Sequence, residues 1–319
     1  MSAAAAARAE TRGEVRYGTA GWSFADWYGT FYPAPATDDG PGALFTGVLD
    51  EAPDEDLALA RREPLRYYAR YFDAVEVNAS FYRIPSPRSA DGWARQTERR
   101  APGEREFLFA VKLNQAFTHE DQDDPREVQA MRDCLAPLAD RGRLAAVLAQ
   151  FPQHFAWGER SRERLARLRE LFRELPLAVE VRHASWDQDE AFEFLAAHEL
   201  CAASIDQPQG RNTITPTLRV TRPELAYVRL HGRNREAWFA KGAGRDQKYD
   251  YLYGEGELDE WSARIKAFSG LAARTLVIAN NHYRGKAPAN ALELRARGGE
   301  QVTVPRALAR TYARLERLR

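Results

Sequence analysis

The sequence predicts a single (β/α)8 TIM-type barrel, and three observations carry that expectation. Eight short apolar segments recur along the chain, most are separated by a helix-like stretch, and in seven of the eight the more polar face ends in a polar or charged side chain at the C-terminal end. Strands that alternate with helices build parallel sheets. Eight such units close into a barrel, whereas an open doubly wound sheet usually has fewer strands and a glycine-rich first turn. Neither G-x-G-x-x-G nor G-x-x-x-x-G-K-[ST] follows any segment.

The segments fall at 15–20, 74–78, 107–112, 145–150, 177–182, 201–206, 226–231 and 275–280. Helix-like stretches fall at 64–72, 87–99, 125–141, 161–175, 187–199, 258–269 and 288–297, several opening on proline or on a capping Ser or Asp, as helix starts do. The gap 207–225 has no helical pattern, so the crossover between strands six and seven is expected to be irregular. Residues 1–14 read as a frayed tail, 15–300 as the barrel and 301–319 as a segment packing on it. Two loops are inserted. That at 37–55, rich in Asp, Gly and Pro, reads as a solvated loop or lid. That at 232–256 is basic and aromatic together, with Arg233, Arg235, Lys241, Arg245 and Lys248 beside Tyr249, Tyr251 and Tyr253.

Composition suits a globular chain with a sizeable core: 44% hydrophobic, 29% charged and 11% aromatic. Lys+Arg and Asp+Glu balance at 46 each, which argues against a polyanion binder by bulk charge. The two cysteines, Cys134 and Cys201, have neither metal-ligand spacing nor a disulfide framework and read as small core residues. No apolar run reaches the roughly 18 residues of a membrane span, and the N-terminus lacks a signal-type apolar core. A cytoplasmic enzyme or binding protein is expected.

Side chains alternate along a strand, and the segment at 177–182 shows what that means here. It sets Ala178, Glu180 and Arg182 on one face against Leu177, Val179 and Val181 on the other. Applied throughout, the rule sets Glu76, Asn78, Lys112, Gln150, Glu180, Arg182, Ser204, Asp206, Tyr227, Arg229, His231 and Asn280 on one face, which ends in a polar side chain at the C-terminal end of seven strands, where barrel active sites lie. Unpaired buried polar groups cost about 1–3 kcal/mol each, so seven such ends point to a functional pocket.

Six ordered motifs add a resemblance. They are GTAGWSFADWYGTFYP (18–33), YYARYFDAVEVNASFYRIPSP (67–87), FAVKLN (109–114), VEVRHASW (179–186), YVRLHGR (227–233) and NNHYRGKAPANAL (280–292). In this order they resemble the DUF72, or YecE-like, family over nearly the whole chain from Gly18 to about Arg297. The resemblance implies a TIM barrel and no established biochemical activity. The chain differs in having Ala20, Phe24 and Ala79 in the family's GTSGWSY and NSTFY motifs, and His282 and Arg284 where NNDYHG-like sequence is usual.

Glu76, Glu180 and Asp206 are the candidate carboxylates, with Lys112, Arg182 and Arg229 as matching cations and His231 to transfer protons or bind substrate. Trp22, Asn78, Tyr82, Arg83, His183, Trp186, Asn280, Asn281 and Tyr283 are candidate substrate contacts. The last loop, with Arg284, Lys286 and a helix start near Pro288, suits an anion. These residues fit an enzyme acting on a phosphate-bearing or sugar-like small molecule, by phosphoester hydrolysis first, then by glycosidic hydrolysis or isomerisation through an enediolate. His183 or His231 with Glu180 or Asp206 could ligate a divalent metal, which is not favoured because no H-x-H or H-E-x-x-H spacing supports it. Two other readings stand beside the enzyme: a nucleic-acid binder gripping backbone with the 232–256 loop while Trp22, Tyr82 and Trp238 stack on bases, and a degenerate barrel that binds a regulatory metabolite.

Overall fold

The computed structural model describes residues 12–34, 54–98 and 103–319. The expected tail therefore lies outside the described residues except at 12–14, as does the 37–55 loop except at 54–55. Eight parallel strands close in sequence order into a barrel. They are β1 Glu14–Ala20, β2 Ala74–Val77, β3 Leu108–Lys112, β4 Leu144–Gln150, β5 Leu177–Glu180, β6 Cys201–Asp206, β7 Ala226–Leu230 and β8 Arg274–Ala279. Asn78, Arg182, His231 and Asn280 thus sit just beyond their strands. Glu14, expected in the tail, opens β1 because it pairs in register with Arg274.

The covering helices include α1 Asp54–Arg62, α2 Pro64–Tyr68, α3 Pro87–Gln96, α4 Pro125–Ala139, α5 Glu159–Leu171, α6 Asp189–Ala197, α7 Arg235–Phe239, α8 Glu255–Leu271 and α9 Lys286–Arg297. Local chemistry sets their starts. Ser86 caps α3 by accepting from the Ser89 N–H, with Pro87 in the first turn, and Asp124 caps α4 by accepting from the Arg126 N–H. Residues 207–225 run from β6 to β7 without a helix. At the C-terminus, Val304, Leu308 and Leu315 are buried, and Arg314 pairs with Glu293 of α9 at 2.6 Å.

The registers decide which face looks inward, because partners across a parallel pair share a face. Ala20 with Glu76, Glu76 with Ala110, Lys112 with Leu148, Gln150 with Glu180 and Arg229 with Ile278 turn the expected faces of these strands to the lumen. On β6 the expectation is reversed. Ala178 pairs with Cys201 and Ile205 with Arg229, so Cys201, Ala203 and Ile205 face in while Ser204 and Asp206 face out. The helix-free crossover explains this: it lies against the outer face of β6, where Ser204 Oγ donates to Thr217 O at 2.7 Å and the Ala202 N–H donates to Thr221 Oγ1 at 2.8 Å.

An aromatic cluster of Trp27, Phe31, Tyr32, Tyr67, Tyr68 and Phe72 packs outside β1 and β2. Tyr68 there joins two strands through its hydroxyl. The Thr19 N–H donates to the Tyr68 oxygen at 2.9 Å, and the Tyr68 hydroxyl lies 3.0 Å from its acceptor, Ala74 O. Tyr68→Phe keeps the ring and leaves a buried N–H and C=O unpaired. It is expected to cost about 1–3 kcal/mol, read as a lower urea midpoint with unchanged far-UV dichroism; an unshifted midpoint would show that the hydroxyl bridge contributes nothing.

Candidate active site at the C-terminal mouth

Small inward residues make room for long ones. Ala110, Ala146 and Ala178 line the lumen on successive strands, and Arg229 of β7 crosses the space they leave. Its Nε and Nη2 donate to Glu76 of β2 at 2.8 and 2.6 Å, while Nη1 bonds Glu180 of β5. Tyr227 donates its hydroxyl to the same Glu76 at 2.8 Å. Arg182 caps the other side of Glu180 through Nε at 2.8 Å. Glu76 and Glu180 are fully buried and Arg229 is 2% exposed.

These contacts set the protonation states. Burial alone would raise the Glu180 carboxyl, but Arg229 and Arg182 outweigh it and hold Glu180 well below the usual carboxylate range. His231 Nε2 lies 3.3 Å from Glu180 Oε1 and its Nδ1 lies 2.9 Å from Asn280 Nδ2. Burial nonetheless lowers His231 to about 4, so the ring is neutral at pH 7.

Lys112 differs from its neighbours. It forms no ion pair among the described residues; its Nζ donates to the neutral Gln150 Oε1 at 2.7 Å and stands 3.8 Å from the centre of the Phe81 ring. Burial first, then the Arg229 charge, lowers it to about 7. The expected balance of three carboxylates and three cations does not hold, because Asp206 is elsewhere. Its carboxylate lies outside the barrel wall, bonded by Arg233 Nε at 2.8 Å and by Trp261 Nε1 of α8 at 3.1 Å. Two carboxylates then face Arg182, Arg229 and Lys112, and a protonated Lys112 is a surplus positive charge.

Above this cluster the 232–256 loop supplies aromatic cover. Arg182 lies 5.6 Å from the Trp238 ring centre, and Trp238 and Tyr249 each lie 6.1 Å from the His231 ring. Neither aromatic stood among the candidate substrate contacts of the enzyme reading; Trp238 entered only as a base-stacking residue of the nucleic-acid reading and Tyr249 only through the basic, tyrosine-rich composition of the loop. Part of the loop's charge is engaged within the fold: Arg233 with Asp206, Glu257 and Glu260, Arg245 with Asp246, and Asp250 with Lys286 of the last loop, whereas Arg235, Lys241 and Lys248 form no ion pair among the described residues. A shallow depression of about 730 Å3 lies at the rim beside α7, lined by Gly210, Arg211, Arg235 and Phe239 among others.

The remaining candidates separate. Trp22 and Asn78 are partly exposed at the mouth, and Trp22 meets Trp93 edge-on at 6.0 Å. Tyr82 and Arg83 are exposed. His183 Nδ1 accepts from the Ser185 N–H at 3.2 Å. Trp186 is buried and donates to Phe155 O, which makes it core. Asn281 is buried too, donating to Tyr251 O and Asn290 Oδ1, while Tyr283 lies in a short turn beside Arg284. The start of α9 is enclosed, with Gly285, Ala287 and Pro288 buried, so the last loop does not present an open helix end to an anion. Among the described residues no three of His, Cys, Asp and Glu are arranged to hold a metal ion. No described helix is long and apolar enough to cross a membrane.

Comparison with known proteins follows the same outline. The sequence profile described as "Protein of unknown function DUF72" matches residues 54–312. The chain belongs to the DUF72 family. The Gly18 motif lies ahead of the matched span. Among relatives, the UPF0759 protein YunF of Bacillus subtilis (strain 168) is 29% identical over 252 residues, covering 74% of this chain and 86% of YunF. The crystal structure of a DUF72 protein from Thermotoga maritima superposes with a TM-score of 0.70 at 31% identity, covering 90% of this chain and 99% of that one. One from Enterococcus faecalis superposes at 0.73 and 24% identity, covering 92% and 98%, and shows the shared fold.

Two outcomes are expected of this DUF72 protein. Glu180→Gln leaves Arg182 without a carboxylate and Arg229 with Glu76 alone, and should cost about 3–5 kcal/mol at neutral pH. The deficit should shrink in acid, since a depressed carboxyl contributes stability above its unfolded value of 4.5 that is lost as pH falls through the folded value. Denaturant titrations from pH 3 to 8 read both, and an equal deficit at every pH would contradict the assignment. Lys112 has the opposite sign: between about pH 7 and 10.5 it is neutral folded and protonated unfolded, so stability rises with pH across that window. Lys112→Met should remove that rise, and parallel pH profiles of the two proteins would refute it.

Proposed function

We propose that the protein is an enzyme acting on a phosphate-bearing or sugar-like substrate at the C-terminal mouth, by acid/base chemistry with Lys and Arg stabilising negative charge. The observation that carries this reading is the surplus cation. Lys112 lacks a carboxylate among the described residues, and it and Arg182 are both partly exposed where barrel active sites lie. An anionic group entering there meets an unmatched charge already held in place. Arg83, exposed after β2 and in no ion pair among the described residues, supports the same reading.

Glu76 and Glu180, engaged by arginine and tyrosine, act here as positioning residues, whereas Lys112 is the group able to exchange a proton near neutral pH. That favours isomerisation through an enediolate over phosphoester hydrolysis. In this reading the partly exposed Asn280, held against the buried His231, and the faces of Trp22, Trp238 and Tyr249 meet sugar hydroxyls and carbons. The buried free thiols of Cys134 and Cys201 are consistent with a cytoplasmic setting.

Thermal unfolding with ribose 5-phosphate, glucose 6-phosphate and the corresponding free sugars tests the reading. Saturating phosphosugar should raise Tm by about 2 °C or more, free sugar should raise it less, and Arg182→Gln should weaken the phosphosugar effect. No shift from any of the four compounds would count against a sugar or phosphate site.

A further inference from the structure

We propose that Lys112 is a carbonyl-capturing amine, forming an imine with an aldehyde or ketone group of the substrate that enters the barrel mouth. The inference rests on the mouth being a substrate site and deepens that reading, by making the amine a nucleophile rather than only a base.

The first argument is the choice of residue. The chain has five lysines, at 112, 241, 248, 266 and 286, among 46 Lys+Arg. Arginine serves the other inward cation positions of the barrel described above, Arg182 and Arg229. A guanidinium is never deprotonated in a protein and cannot act as an amine. In a chain this rich in arginine, a lumen position needing only positive charge has an abundant alternative. Lys112 is also the lumen cation without a carboxylate among the described residues, so its charge is not required to neutralise a neighbour.

The second argument is geometry. Donation of an N–H to Gln150 at 2.7 Å fixes Nζ at the C-terminal end of β3, and the Phe81 ring lies 3.8 Å to the side. A fixed, partly desolvated amine beside an aromatic face resembles the setting in which lysines act as nucleophiles. The lowered proton affinity described above supplies the neutral form at pH 7.

The step balances without an oxidant or reductant. The nitrogen lone pair adds to the carbonyl carbon, and the C=O π pair moves to oxygen. A proton passes from nitrogen to that oxygen, giving a carbinolamine. Nitrogen then forms the C=N bond as hydroxide leaves, taking a proton from solvent to depart as water. The resulting iminium carries one positive charge at the position the ammonium held, within reach of the Phe81 face.

The experiment is reductive trapping on the full chain, with glycolaldehyde and dihydroxyacetone phosphate as probes and cyanoborohydride as reductant, read by peptide mass mapping of all five lysines. Lys112 should label about tenfold faster or more at pH 7 than the exposed Lys241 and Lys266, with a rate that levels off above about pH 7. Lys112→Arg should abolish that adduct and leave labelling of the other four unchanged; Lys112→Met serves if the arginine variant does not fold. Labelling of Lys112 no faster than the exposed lysines, or still climbing at pH 10, overturns the inference. If phosphosugars stabilise the protein while Lys112 resists trapping, the imine fails and the substrate reading stands. If Lys112 traps both probes but no sugar or phosphosugar stabilises the protein, the inference holds and the proposed substrate class is replaced by a simpler carbonyl compound.

Discussion

Arg229 is the interaction on which the site depends. A guanidinium buried in a barrel lumen is tolerable only if anions meet it from more than one side, and Glu76 and Glu180 do so from β2 and β5. The alanines of β3, β4 and β5 follow from the same need, since bulkier inward residues would occupy the path of the arginine. Tyr227 and Arg182 then satisfy what Arg229 leaves over on the two carboxylates. Once this network is closed, its members are committed to one another. Lys112, left beside it, is the lumen cation that bonds a neutral amide instead of a carboxylate.

The eight strands and the helix-free crossover were legible in the sequence, because apolar runs and capping residues are local signals. So was most of the polar ring. The face of β6 was not. Alternation tells which residues of a strand share a side, but the side that faces in is set by register with the neighbouring strands. At β6 the usual inference that chemistry-bearing residues point to the lumen fails, because the crossover 207–225 brings polar partners to the outer face. Asp206 reads like a site carboxylate and serves instead to tie Arg233 and Trp261 to the barrel wall.

Other misplacements have similar causes. Trp186 and Asn281 belong to motifs that resemble a family pattern, yet a motif also records packing, and both side chains are spent on buried hydrogen bonds. Lys286 looked like an anion ligand until Asp250, distant in sequence, was seen to occupy it. Trp238 and Tyr249 come from a loop with no periodicity to read, so their place over His231 follows only from how that loop folds back across the mouth.

The seam between β5 and β6 has a consequence of its own. It carries two registered pairs, Ala178 with Cys201 and Val179 with Ala202, fewer than the other seams of the ring. The bond from Arg229 to Glu180 passes over β6 and fastens β7 to β5 across that gap. Charge balance in the lumen and mechanical closure of the ring are thus one property, and whatever alters the first loosens or tightens the second.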